Sequence, residues 1–200
     1  VVKSVAVALQ YQAGQTPLDA DELGQLAPKH ITTQGQLNEW EQTNIVEALK
    51  WLKRGRHPAV LTEAFCRQLH KQMFGKTWKW AGTFRQSDKN IGGDWRQVST
   101  QLRQLLDNTQ FWVNDKVFPL DEIAVRFHHR LVLVHAFPNG NGRHARLMTD
   151  SLLNQAGGHA FSWGNEGSLV AGGGVRDSYL DALRTADAGD ITKLMAFVRS

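Results

Sequence analysis

The sequence predicts a single all-α domain with one short β-hairpin set among its helices. Three observations carry this. Apolar residues recur at three- and four-residue steps through most of the chain. Residues that start and stop helices flank those windows. The stretch at 78–98 loses the helical period and gains glycines. The 200 residues suffice for one domain with a sizeable core.

Residues 1–34 carry prolines, glycine and mixed charge without a sustained period, and read as a mostly extended N-terminal arm with a turn of helix near Asp19–Leu23. From residue 35 to 200 the chain reads as the folded domain. Leu37, Trp40, Asn44, Ile45, Ala48, Trp51 and Leu52 mark one apolar helical face. Thr62 caps the next helix and Gly75 stops it. Cys66 lies inside that helix and reads as a buried structural thiol.

In "WKWAGTFRQSDKNIGGDWRQV", Gly82-Thr83-Phe84 and Gly92-Gly93, followed by Trp95 and Val98, suggest a hairpin with a loose tip. Trp78, Trp80 and Trp95 surround it, with core packing the default for each. A helix follows over 99–114. Pro119 and Asp121 start a central helix, with Ile123, Phe127, Leu131 and Val134 on one stripe. It breaks at Pro138-Asn139-Gly140, and another helix runs from Asn141 through Leu147, Leu152 and Leu153 to Gly157-Gly158. A glycine-rich loop over 157–174 precedes helices at about 175–187 and 190–199.

The net charge of +4 and pI near 9.4 suit a phosphorylated ligand. The cations are scattered, with no run longer than "KRGR" at 53–56, so nucleic-acid binding is disfavoured. A single cysteine excludes an internal disulfide framework and a multi-cysteine zinc site, and it fits a reducing, cytoplasmic setting. No apolar run approaches the roughly 18 residues of a membrane span.

"HAFPNGNGRHAR", His135 to Arg146, concentrates unusual chemistry between two helices. Gly140 and Gly142 permit torsions closed to other residues and a close approach to the main chain. Consecutive amides there form a nest for anions, and the helix that begins at the same place adds its free N–H groups and positive dipole end. Arg143 and Arg146, three apart, project on one side of its first turns. Together these describe a cradle for a di- or triphosphate. His135 stands on its lip as a base suited to neutral pH. His128, seven residues before His135, shares its helical face, and His144 is near in sequence. No acid or cysteine completes a zinc set there, so His128 and His129 read as structural hydrogen-bonders. Arg176 and Tyr179 are candidates to flank the base of a nucleotide, with packing as the equal alternative.

This stretch resembles the signature of Fic-domain proteins, H-x-F-x-[D/E]-G-N-G-R-x-x-R, matching each fixed position but one. "WAGTFR" at 80–85 resembles the start of that family's flap hairpin, and "YLDALRTADAGDITKLMAFV" resembles its closing helices. "FPNGNGRHAR" is similar to the subgroup called mobile mystery protein B. The resemblance implies a helical domain that transfers AMP from ATP to a Ser, Thr or Tyr hydroxyl of a target protein. It implies that His135 deprotonates that hydroxyl. Asn141, Arg143 and the amides of Gly140 and Gly142 would hold the α- and β-phosphates, while Arg146 clamps the γ-phosphate. The flap, about 83–98, would pair with a segment of the target. Transfer of a different phosphate-containing group, or nucleotide binding without turnover, are the alternatives; the GNGR core favours AMP.

Two features bear on activity. The family's acid that ligates Mg²⁺ is replaced by Asn139, whose carbonyl is a weaker ligand for a hard cation; the expectation is weakened magnesium dependence. The family's inhibitory pattern [S/T]-x-x-x-E-[G/N] is matched in part by "TNIVEA", with Thr43 and Glu47 in place and Ala48 departing. By that resemblance Glu47 would pair with Arg146 and displace the γ-phosphate.

Overall fold

In the computed structural model of the chain the described residues are 9, 11, 15–55, 59–164 and 173–200. Eight α-helices occur among them: α1 (Ala20–Leu23), α2 (Gln34–Arg54), α3 (Glu63–Phe74), α4 (Val98–Asn114), α5 (Leu120–Val134), α6 (Asn141–Gln155), α7 (Gly174–Asp187) and α8 (Thr192–Val198). The expected all-α class and helix order are what the structure has. Much of the glycine-rich loop expected at 157–174 lies outside the described residues, as does most of the arm before residue 15.

Local chemistry sets the boundaries. Thr33 caps α2 by accepting from the Gln36 N–H, and Gln36 Oε1 accepts from the Thr33 N–H in return, a reciprocal arrangement that satisfies two orphan donors. Thr62 does the same one-sided service for α3, accepting from the Phe65 N–H at 3.2 Å. Pro119 precedes α5, where its missing N–H costs nothing.

α5 is the central helix, packed against α4, α6 and α8, while α3 joins α2 to α6. Phe127, Leu131, Phe137, Ala145 and Met148 are buried with Phe65, Leu69 and Phe74 of α3 in one core. A second, smaller cluster gathers Ala124, Leu153, Tyr179 and Leu194 between α5, α6, α7 and α8. Cys66 is fully buried, and burial pushes its thiol pKa upward, as a structural thiol requires. Trp78 and Trp80 are core residues, stacked 5.2 Å apart. In the segment before α2, Leu18 and Ile31 are buried in the main core.

The hairpin is the expectation that fails. Between Thr83 and Val98 the chain makes turns and a single turn of 3-10 helix at Trp95–Gln97, and no strand ladder forms. The one isolated bridge among the described residues pairs Leu26 with Trp78. The cause is Arg85. Its guanidinium reaches back into the segment and donates to the Ser87 carbonyl at 2.9 Å and the Gly93 carbonyl at 2.6 Å. Side-chain donors thus take carbonyls that a ladder would use, and the flap closes around them.

Five histidines are buried among the described residues: His70, His128, His129, His135 and His144. His128 shares a hydrogen bond with the Tyr179 hydroxyl (2.9 Å), and His144 with the Cys66 carbonyl (2.9 Å). His129 pairs with Asp187 at 2.8 Å. Both His128 and His129 are therefore hydrogen-bonded as structural residues. Burial lowers the pKa of His128 to about 3 and of His135 and His144 to about 4, and His70 lies well below 6.5 for the same reason. In the unfolded chain these groups titrate near 6.5. Between that value and 4 the unfolded state binds protons that the native state refuses, so stability falls as pH falls. Each such group contributes a slope of about 1.4 kcal/mol per pH unit. Denaturant midpoints measured between pH 7 and pH 5 should therefore drop steadily on the acid side, and a flat profile would contradict the neutral buried imidazoles.

Candidate active site

The site is built where α5 ends and α6 begins. His135 closes α5 in a left-handed conformation (φ 48°, ψ 55°), uncommon for a residue with a side chain. The turn frees two carbonyls, and residue 85 takes both: Arg85 Nε donates to the His135 carbonyl at 2.7 Å, and the Arg85 backbone N–H to that of Ala136 at 2.9 Å. Gly92 has φ 92°, and a Cβ there would lie 2.8 Å from Arg85 and 3.0 Å from the His135 Cβ. Only a residue without a side chain lets the flap come this close.

His135 is 4% exposed, and its Nε2 lies 2.8 Å from Thr16 Oγ1. Burial, then the positive charge of Arg85, bring its pKa to about 4, with the Val132 backbone pulling the other way. The imidazole is therefore neutral at pH 7. With its proton on Nδ1, the Nε2 lone pair accepts from a hydroxyl.

The loop between the helices is braced from both sides. Asn141 Oδ1 accepts from the Phe137 N–H at 2.9 Å, and its Nδ2 donates to the Phe137 carbonyl at 2.7 Å. Both polar ends of this carboxamide are thus committed to the loop. The Asn141 side chain thereby braces the turn that leads into α6. His70 ties the loop to the base of the flap. Its Nδ1 accepts from the Gly82 N–H at 3.0 Å, which puts the proton on Nε2, and Nε2 donates to the Asn139 carbonyl at 3.0 Å. Gly140 has φ 79°, and a Cβ there would sit 2.6 Å from the Phe74 ring.

With the turn fixed, the first hydrogen bond of α6 runs from the His144 N–H to the Gly140 carbonyl. The amides of Asn141, Gly142 and Arg143 come before it, at the positive end of a helix of 15 residues. Such amides have no partner within their own helix. No heavy atom lies within 4 Å of the Cβ position of Gly142, so the approach is open. One cavity is lined by these residues together with Arg143, Arg146, His135, Thr16 and Glu41. Arg176 and Tyr179 line the same cavity. Tyr179 is buried beneath Arg146, whose guanidinium stands 5.7 Å from the ring centroid.

The two arginines differ. Arg143 Nη1 donates to Glu41 Oε2 at 2.6 Å, and Glu41 Oε1 accepts from Trp78 Nε1 at 2.8 Å. Arg146 forms no salt bridge with any described carboxylate. The Glu47–Arg146 pair expected from the sequence does not form. Glu47 is exposed and bonds Lys50 at 2.8 Å, which holds its carboxyl below the usual range. Six residues along a helix amount to about 240° of rotation, so Glu41 and Glu47 face different ways. Glu41 lies on the buried stripe of Leu37, Asn44 and Ala48. A lone acid on that apolar face was the available signal.

Asn139 holds neither a free carbonyl nor a free amide. Arg143 Nη2 lies 3.4 Å from its Oδ1, and its Nδ2 donates to the Thr16 carbonyl at 2.9 Å. This donor set does not fit a magnesium ion: the oxygen is neutral and already faces a guanidinium. Thr16, Glu41, His70 and Arg85 are site residues that the sequence reading did not single out. "WAGTFR" flagged the neighbourhood of Arg85; for Thr16, in an irregular segment, the sequence offered no signal.

The left-handed turn thus sets a buried neutral base beside a cluster of helix-start amides and arginines, an arrangement able to hold an anion and accept a proton next to it. Residues 60–153 match the model of the Fic/DOC family. The "Protein adenylyltransferase Fic" of Aedes aegypti is 31% identical over 120 residues, 58% of this chain and 22% of the relative. That of Drosophila melanogaster is 27% identical over 136 residues, 66% of this chain and 26% of the relative. The chain thus spans about a quarter of the length of these curated relatives. Among solved structures, the BepC protein of Bartonella tribocorum with bound AMPPNP has a TM-score of 0.68 at 20% identity, covering 84% of this chain and 87% of that one. Fic-1 of C. elegans has a TM-score of 0.60 at 24% identity, covering 80% and 47%. None of these findings bears on the narrower likeness to mobile mystery protein B.

The ion pair at Arg143 makes a prediction. A polyphosphate on the cradle competes with Glu41 for that guanidinium. Glu41→Gln keeps an acceptor for Trp78 and removes the competing charge. Calorimetry with inorganic pyrophosphate should show about tenfold tighter binding, equivalent to about 1.4 kcal/mol. Unchanged affinity would mean that the pair does not obstruct the cradle.

Proposed function

We propose that this domain transfers the AMP moiety of ATP to a protein hydroxyl. The observation that carries the reading is the convergence of neutral His135, the first amides of α6, and Arg143 and Arg146 on one cavity. The names of the curated relatives, and the nucleotide bound in one structural neighbour, support it. The amides of Asn141, Gly142 and Arg143 hold the α- and β-phosphates, Arg143 shares that load once released from Glu41, and Arg146 meets the terminal phosphate. His135 Nε2 takes the proton of the acceptor hydroxyl. Catalysis of this kind is positioning and charge neutralisation, with little covalent work for the protein. A target protein docks along the flap, and the cytoplasm, with its reducing conditions, is the setting we infer for the single buried thiol.

The deciding experiment uses ATP labelled at the α- or the γ-phosphate, with the Glu41→Gln chain as the unobstructed enzyme and a cell lysate as acceptor. The expected result is α-label on protein, lost by at least 10²-fold in His135→Ala. γ-Label on protein would instead indicate a different transferred group, and bound but untransferred nucleotide would indicate a binding module.

Magnesium supplies charge neutralisation on the phosphates, and in this chain residue 139 contributes no anionic ligand to hold it. Magnesium titrations of labelling should be shallow for the wild type and steeper for Asn139→Asp. Superimposable curves would remove the argument that residue 139 governs metal use.

A further inference from the structure

The acceptor position of the site is filled by the chain itself. Thr16 Oγ1 lies 2.8 Å from His135 Nε2, where the base of the proposed reaction needs its hydroxyl. Thr16 is buried and lines the same cavity as the α6 amides and both arginines. Its neighbours are fastened to each side of the cleft. Asn139 Nδ2 donates to the Thr16 carbonyl at 2.9 Å, and Asn90 Nδ2 to the Gln15 carbonyl at 3.0 Å. Leu18 is buried in the main core. Beyond it Asp19 accepts from Ser87 Oγ (2.6 Å) and Lys89 Nζ (2.8 Å), and Lys89 also reaches Glu22 at 2.6 Å. Residues 87–90 of the flap therefore grip residues 15–22, the very surface on which a target segment would dock.

We propose that Thr16 is an acceptor in cis: the domain adenylylates the Thr16 hydroxyl of its own N-terminal segment. This rests on the AMP-transfer reading above. In the step, Thr16 Oγ1 gives its proton to His135 Nε2 and forms a bond to the α-phosphorus of ATP. The bond from that phosphorus to the oxygen bridging to the β-phosphate breaks, and pyrophosphate leaves with the electron pair. The modified residue then carries a nucleotide in place of its hydroxyl proton.

Asn139 is a positioning residue for this acceptor. A carboxylate at 139 has no N–H to give the Thr16 carbonyl and repels it instead. The departure from the family's acid at this one position thus matches the presence of the segment that needs a donor.

The test uses the purified full chain and the Glu41→Gln variant with ATP, followed by peptide mass spectrometry and α-label counting. An adenylyl group on Thr16 is expected, formed at a rate independent of protein concentration. Thr16→Val should lose it and Thr16→Ser should keep it. At saturating magnesium, Asn139→Asp should lower the ratio of Thr16 label to label on lysate proteins severalfold. If lysate proteins take α-label while Thr16 stays unmodified, and Thr16→Val speeds that transfer, Thr16 is a plug and the proposal is overturned with the transferase reading intact. If neither form of the chain places α-label on any protein, the transferase reading fails and this one falls with it.

Discussion

Arg85 carries a positive charge on a side chain with no solvent exposure, and the site depends on where that charge goes. Its donors end on the carbonyls of His135, Ser87 and Gly93, with the carboxylate of Asp88 3.6 Å away. A buried guanidinium is costly unless its N–H groups are satisfied, so the flap is folded by its need to satisfy them. The same group fixes the end of α5. The left-handed turn at His135 exposes carbonyls that would otherwise want water, and residue 85 supplies the donors. The base, the flap and the helix terminus are thus one hydrogen-bonded unit, and the charge at its centre helps keep the imidazole neutral.

A second constraint acts from the opposite wall. Glu41 lies on the buried face of α2 with both oxygens engaged, one by Trp78 and one by Arg143. The carboxylate occupies one donor of Arg143, and the helix holds it there through packing against α3 rather than through a flexible loop. Arg146, lying over Tyr179, has no such competitor among the described carboxylates. The cradle at rest is therefore half neutralised: one guanidinium is occupied and one is presented to the cavity.

Much of this was legible in the sequence because helices announce themselves. The period of apolar residues, the caps at Thr62 and Pro119 and the breaks at Gly75 and Gly140 are local signals, and the elements follow them to within a residue or two. The cradle was legible for the same reason, since its amides and arginines are contiguous. What was not legible is what long-range contacts decide. Glycines at 92 and 93 suggest a hairpin, but a buried arginine seven residues earlier claims the carbonyls. Glu47 fits a local pattern, whereas the acid that meets an arginine is Glu41, chosen by which side of α2 faces the core. That Asn141 braces the loop depends on its amide lying within reach of both polar groups of Phe137. Thr16 stands 119 residues from His135, and no spacing rule connects them.

Asn139 joins these threads. Read in the motif alone, it is an acid replaced by its amide, a loss of charge and a weakened metal ligand. In the folded chain the amide nitrogen is what the position uses: it donates to the Thr16 carbonyl, while the oxygen faces Arg143. An aspartate would repel that carbonyl and would add a second anion beside Arg143, already paired with Glu41. A carboxylate at 139 and a docked Thr16 segment are therefore opposed on electrostatic grounds. The residue that looks like a defect in phosphate chemistry is the one that secures a hydroxyl against the base.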